Sequence, residues 1–555
     1  MSLMSMRRKM ASKQTATIIL WLLIAVFIVG IIMWSVPNNS RGQSDQSYRA
    51  SGNTVLAVVN GERIDSDYLD KQFFDQLNQS KASPNIDNTL QLREQIVTAR
   101  LQSIVGAQVM HGFGISDRVL KRKAREMGAE DADNYIAQVK MMAEMQVTQA
   151  QAQAKTQQQK ANIPTAEQFY RQQIRDAMKE ITGKMVENPT DDQFRKALVN
   201  YLMDPEKPAN ANHLDMVRTR LIGQKKTEEL TPSPFTEDFA KRITTQKMKV
   251  RWIFIAAQGF SATAIEDAMK KAEELHAQLA SNPSQFAKVA EKESNHDSHV
   301  RGGELGWIGS GDIYQAKLPL MVEYLAFTQP PTDLGPVTQF TVPSQNVSPL
   351  ASRIGYGFVQ VTDGPQDVTP KDFNWAAQKS ATMASIRKQY EVGVGQDYLL
   401  YMIAKADIEC DSPEVASYLA TAHGQATATT KLQGEALAKE KDLPSPVVAA
   451  LSYQVAMGTP DLNTRVRLLT AAVEYADTRV SEVHMLLGDA NMGLGKKQEA
   501  IDAYENAMIA AASREAEVRQ QVRIQYQKMG YTEGVKKIDA WLAENVKQQD
   551  TPPAP

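Results

Sequence analysis

Ser294–Trp307, SNHDSHVRGGELGW, concentrates chemistry-bearing side chains: two histidines, two carboxylates and three glycines in fourteen residues. His296, Asp297 and His299 offer imidazole and carboxylate within four residues, the raw material of a metal site. A catalytic metal normally takes three protein ligands, and the spacing supplies no third strong one. A solvated polar loop is therefore the expectation, with no metal and no cofactor. The single cysteine, Cys410, excludes an intramolecular disulfide and a thiolate zinc cluster. It ends the short β-like run Ala406–Cys410 and reads as a small hydrophobe rather than a nucleophile. No Ser/His/Asp or phosphate-loop signature is present.

The elements that must position this loop read as a small α+β unit. KVRWIFIAA (Lys249–Ala257) is β-rich, and residues 264–292 read as one amphipathic helix. After the loop come a helix around Leu318–Phe327 and a last strand, Gly357–Asp363. Glycines 302, 303 and 306 supply backbone angles denied to other residues, and Trp307 is expected on the core.

The chain has 555 residues, 23% of them charged, and a formal net charge of -2, which gives no electrostatic reason to expect nucleic acid. From Gln14 to Ser40 there is no charged residue, and 16–36 is apolar almost throughout, long enough for one membrane crossing. Arg7, Arg8, Lys9 and Lys13 precede it, so residues 1–15 are expected in the cytoplasm and everything after Pro37 outside it. Residues 37–53 read as a tether. VLAVVNGERI reads as two β segments around Asn60-Gly61, followed by helices to about 246. Met145–Lys160, MQVTQAQAQAKTQQQK, reads as a solvated helical arm. Helix Trp375–Ala404 and its β run follow, and 547–555 reads as a disordered tail. In Ser481–Ala511 the spacing of Leu487, Gly488, Ala500 and Tyr504 is similar to a tetratricopeptide repeat, with a weaker copy after it, giving helical repeats over 428–546.

FAKVAEKES, RGGELGW and the later LGPV resemble the parvulin class of peptidyl-prolyl isomerases over 247–364. That pattern carries Arg-His on its first strand, F-x-x-x-A-x-x-x-S, a GG-[DE]-LGW loop and G-x-H on its last strand. The counterparts are Arg251-Trp252, Phe286…Ala290…Ser294, Gly302–Trp307 and Gly355–Gly357. The resemblance therefore puts Trp252 and Gly357 at the two histidine positions. His296 falls in the family's Cys/Asp slot, with Asn295 and Asp297 as alternatives. A peptide-binding wall is implied at Trp252, Ile313, Leu318, Val322 and Phe327. Without either histidine, little or no isomerase activity is expected.

VNGERIDSDYLDKQF and LREQIVTARLQSIVGAQ resemble the chaperone region of SurA-like and PpiD-like proteins, in which a helix and strand after the parvulin unit complete the N-terminal domain. The repeat tail departs from that pattern. The expected fold is mainly α and multidomain: one transmembrane helix, a helical chaperone domain over 54–246 and 365–412 with the α+β parvulin-like domain inserted, and a C-terminal α-solenoid. The expected role is a single-pass, extracytoplasmic chaperone of the inner membrane, binding unfolded or nascent exported proteins beside the Sec translocon. The repeats would hold a partner, or a second copy, at Leu487, Gly488, Ala500 and Tyr504. The rival expectations are an active isomerase and a repeat scaffold of the translocon.

Overall fold

The structure, a computed structural model, describes residues 54–80, 86–153, 164–205, 207–259, 261–313, 318–342, 352–371, 373–422, 425–476, 480–511 and 514–549. The chain divides into two units. Of the described residues, one comprises those within 102–342 and 353–406; the other comprises those within 54–101, Ser352 and 407–549.

In the first unit, α3 (Asp117–Gln153) packs with α4 (Ala166–Thr182) and α5 (Asp191–Met203) around Ile136, Tyr170, Ile174, Phe194 and Leu198. Threonine and glutamine three residues apart form a capping box at each of the latter two helices, Thr165 with Gln168 and Thr190 with Gln193. Helix α6 (Pro208–Glu228) crosses α11 (Trp375–Lys405) at a pair of glycines. A Cβ on Gly223 would collide with the carbonyl oxygen of Glu391, and one on Gly395 with that of Thr219. Arg220 Nε donates to the Glu391 carboxylate at 2.8 Å beside this crossing.

Between those helices in sequence comes an antiparallel sheet in the order β4-β3-β6-β5, where β3 is Gln246–Ala256, β4 Glu304–Ile308, β5 Thr338–Val342 and β6 Arg353–Asp367. Side chains alternate along β3, as the pleat requires. Ile253 and Ile255 meet α8 (Ala262–Ser281) and α9 (Phe286–Glu293) through Ala268, Leu275, Phe286 and Ala290. Met248, Val250, Trp252 and Phe254 share a second core with α7 (Glu237–Thr245), α10 (Leu320–Thr328) and α11, through Phe239, Val322, Phe327 and Tyr390. The single helix expected over 264–292 is two, because the chain leaves the helical conformation at Asn282 ahead of Pro283.

In the second unit β1 (Val55–Val59) turns into β2 (Glu62–Asp65) at Asn60 and Gly61, both with positive φ (48° and 87°), and pairs on its other side with β7 (Ile408–Cys410). Helix α1 (Ser66–Ser80) and the start of α2 (Ile86–Gly112) are tied to α12 (Pro413–Ala422) by Arg93. Its buried guanidinium meets Asp70 at 2.7 Å and Glu414 at 2.5 and 2.9 Å, and Tyr418 donates to Glu414 at 2.6 Å. Seven helices follow, each packing on the next: α13 (Ala426–Lys439), α14 (Ser445–Gly458), α15 (Leu462–Tyr475), α16 (Ser481–Gly493), α17 (Lys497–Ala510), α18 (Glu515–Lys528) and α19 (Thr532–Gln549).

The expected fold class needs correction. The described residues are mostly helical with two small sheets, and among them no helix is long and apolar enough to cross a membrane. Residues 1–53, which hold the expected cytoplasmic end, span and tether, lie outside the described residues, as do 550–555 of the expected tail. The first strands and α1 cluster with the C-terminal helices rather than with α3–α6, because β1 pairs with β7 and Ile86 packs among Ala449, Leu469 and Val483. Helix α19 runs to Gln549, past the expected tail boundary, and of the polar arm only the residues to Gln153 are described.

Candidate functional site

The centre of the candidate site is Trp252, whose side chain is fully buried. It stacks on Phe254 at 5.6 Å between ring centroids and meets Phe340 edge-on at 5.4 Å. Its indole Nε1–H points at His296 Nδ1 and Ser298 Oγ, 3.2 Å from each. The backbone N–H of Ser298 donates to the same His296 nitrogen at 3.1 Å, and its hydroxyl lies 3.0 Å away. Nδ1 is therefore an acceptor, which puts the imidazole proton on Nε2. Burial, then the nearby Arg353 guanidinium, pulls the His296 pKa down to about 4, so the ring is neutral at physiological pH.

The loop that delivers these groups is built on its glycines. The turn Asp297–Arg301 ends at Gly302 (φ 63°), where a Cβ would press on Ala287 at 2.8 Å. At Gly303 (φ 83°) it would strike the Trp252 carbonyl, and Trp252 N–H donates to the Gly303 carbonyl at 3.0 Å. Gly306 (φ 88°) has open space and needs only its backbone angle. Ser294 Oγ accepts from Phe254 N–H at 3.1 Å, and Asn295 Oδ1 from Ala256 N–H at 2.8 Å. Of the three candidates for the Cys/Asp slot, only His296 reaches Trp252. Asn295 is bonded to β3, and Asp297 is exposed, 3.9 Å from Arg353.

Ile313, Leu318, Val322 and Phe327, expected to line a peptide pocket, are buried in one core cluster with Trp252, at 1, 6, 0 and 0% exposure. They lie together in this apolar interior. That interior is roofed by Phe239 and Tyr390, which come from helices outside the expected unit and meet edge-on at 5.8 Å. A cleft of about 520 Å³ lies elsewhere, among Gln258, Ser261, Asp267, Lys271, Glu293 and Asn295. Trp307 also departs from expectation. It is 38% exposed because β4 is the edge strand and Gly306 breaks its alternation.

Gly357 sits opposite Phe254 on β6, and a Cβ there would run into the Ile253 carbonyl oxygen. The backbone itself leaves no room for a histidine at that place. Ser298, Phe340, Glu323 and Tyr390 escaped the sequence reading. Phe254 was within reach of it, since strand alternation puts it two residues from Trp252 on the same face. Tyr390 donates to the Glu323 carboxylate at 3.1 Å, and burial raises that carboxyl to about 7.

Of the repeat residues expected to hold a partner, three are buried and Leu487 is partly buried. Gly488 lies under the Tyr504 ring, Ala500 and Tyr504 are fully buried, and Leu487 packs at the edge of the neighbouring core. Tyr504 donates to Asp489 at 2.6 Å, closing the α16–α17 hairpin.

The PPIC-type PPIASE domain family matches residues 237–364, the stretch from α7 through most of β6. No curated protein matches the chain. Among solved structures, a PpiC-type peptidyl-prolyl cis-trans isomerase domain is 21% identical over 23% of this chain and 97% of its own, with a TM-score of 0.17. The peptidylprolyl isomerase PrsA of Bacillus anthracis is 16% identical over 52% of this chain and 97% of its own, with a TM-score of 0.19. The foldase protein PrsA of Lactococcus lactis is 11% identical over 69% and 98%, with a TM-score of 0.16. Residues 237–364 are thus a parvulin-type domain.

Proposed function

We propose that this protein is a chaperone of unfolded or newly exported polypeptides, working outside the cytoplasm near the secretion channel. Its parvulin-type domain binds or braces without catalysing isomerisation. The observation behind this reading is Trp252: a buried indole hydrogen-bonded to His296 fills the place at which the family pattern carries its first histidine. Isomerisation of an X–Pro bond crosses a barrier of about 18–20 kcal/mol, and an enzyme lowers it only by holding the twisted amide in a formed site. Here the expected wall is occupied by its own side chains. Client binding then falls to the outer surfaces, where Met141, Met145, Met185 and Met216 are 42–59% exposed. Unbranched thioether side chains adapt to many partners. Adding the full chain to an unfolded client tests the reading. Aggregation slows if the protein is a chaperone, and an unchanged time course rejects it in favour of a scaffold.

A further inference from the structure

We propose that the exposed face of the first two turns of α3, formed by Arg118, Lys121, Arg122 and Arg125, docks on the surface of an anionic phospholipid bilayer. The four cations stand at i, i+3, i+4 and i+7, one stripe on a helix. All four are exposed, the Arg122 side chain at 68%. Between Asp117 and Glu126 there is no acidic residue. The acids that flank the stripe are engaged: Asp117 lies 3.2 Å from His111, and Glu126 takes Lys123 at 2.7 Å and Arg122 at 3.9 Å. Arg118, Lys121 and Arg125 have no hydrogen bond or ion pair with any described residue.

Several cations on other helices are paired within their own helix. Arg171 with Glu167, Lys439 with Glu435, Arg519 with Glu515 and Lys537 with Glu533 each pair one turn apart. The placement of the stripe is also unfavourable for folding. Arg118 is the second residue of a 37-residue helix, at the positive end of its dipole, where a cation opposes helix formation. Three unpaired cations, Arg118, Lys121 and Arg125, near the positive end of a helix are accounted for by an anionic partner. The flat lattice of lipid phosphates suits a stripe that presents point charges without a pocket. This inference rests on the proposed extracytoplasmic setting, which leaves no nucleic acid to compete.

The test uses the full chain with Ser116→Cys carrying an environment-sensitive fluorophore, in a Cys410→Ser background. It is mixed at low salt with vesicles of phosphatidylcholine, or of phosphatidylcholine with phosphatidylglycerol. The apolar residues 16–36 contribute to both vesicles, so the difference at the label is the readout. Emission moves to the blue on the anionic vesicles only, and added salt reverses it. Replacing all four cations by glutamine weakens the response by ~100-fold or more, at about fivefold for each charge. Replacing the three arginines by lysine preserves it, which separates charge from folding. An equal signal on both vesicles, or in the glutamine variant, overturns the proposal. Aggregation suppression that survives in the glutamine variant leaves the chaperone reading standing without it.

Discussion

The indole Nε1–H of Trp252 and Nδ1 of His296 face each other at 3.2 Å, with ring centroids 4.8 Å apart and edge-on. Each satisfies the other's buried polar atom, so the pair closes the site. Truncating Trp252 to alanine is expected to cost about 3–5 kcal/mol in denaturant unfolding, because it opens a large cavity under the sheet. Trp252→Phe retains most of the volume but removes one of the two N–H donors to Nδ1, leaving that of Ser298. The His296 ring then titrates above about 4, which its proton resonances report directly.

Gly357→His would place the family's residue at the family's position. The Ile253 carbonyl already occupies that space, so the β3–β6 pairing must part. The expected result is a loss of more than about 4 kcal/mol or an insoluble protein, with no gain of activity. Trp252→His alone, which fits in volume, gains no isomerase activity either.

Two groups give the domain opposite responses to pH. Glu323 is 1% exposed and its pKa is raised to about 7. Its stabilising effect is complete below its unfolded value of 4.5 and is lost as pH rises through 7, about 3 kcal/mol in all. His296 is depressed to about 4, so its effect is complete above 6.5 and is lost as pH falls toward 4. Because it is only partly buried, solvent screening reduces that contribution to about 1 kcal/mol. Glu323→Gln should reduce the loss between pH 5 and 7, leaving the part contributed by the buried Asp397, which burial raises to about 8. Unfolding midpoints measured across that range check it; an unchanged alkaline limb contradicts the assignment to Glu323.

The crossing of α6 and α11 predicts a second sensitive point. A methyl group on Gly223 meets the Glu391 carbonyl, and helix backbone cannot yield as a side chain can. Gly223→Ala should therefore destabilise by about 3 kcal/mol or more, although alanine is the better helix former. Gly434→Ala, with only Val455 at 4.0 Å, should be neutral or mildly stabilising.

Much of the local structure was legible in the sequence. The alternation in Val250–Ile255 gives a strand with two apolar faces, and GGELGW gives a loop whose glycines need positive φ. Asn60-Gly61 marks its turn for the same reason. The failures are failures of long-range packing. Nothing near Trp252 in sequence announces that Phe239 and Tyr390 will cover its face of the sheet. Trp307 was misjudged because burial of an edge strand depends on what lies beside it, which periodicity cannot report. In the repeat hairpin, small residues at helix contacts mark packing as readily as recognition, and Gly488 packs under the Tyr504 ring.

Whether the proposed non-catalytic role holds is read from the rate of cis-to-trans isomerisation of a proline tetrapeptide with the full chain present. The expected result is the uncatalysed time course, the tens to hundreds of seconds of a free X–Pro bond, at every protein concentration tried. An acceleration proportional to protein concentration, and abolished by Trp252→Ala, would contradict it.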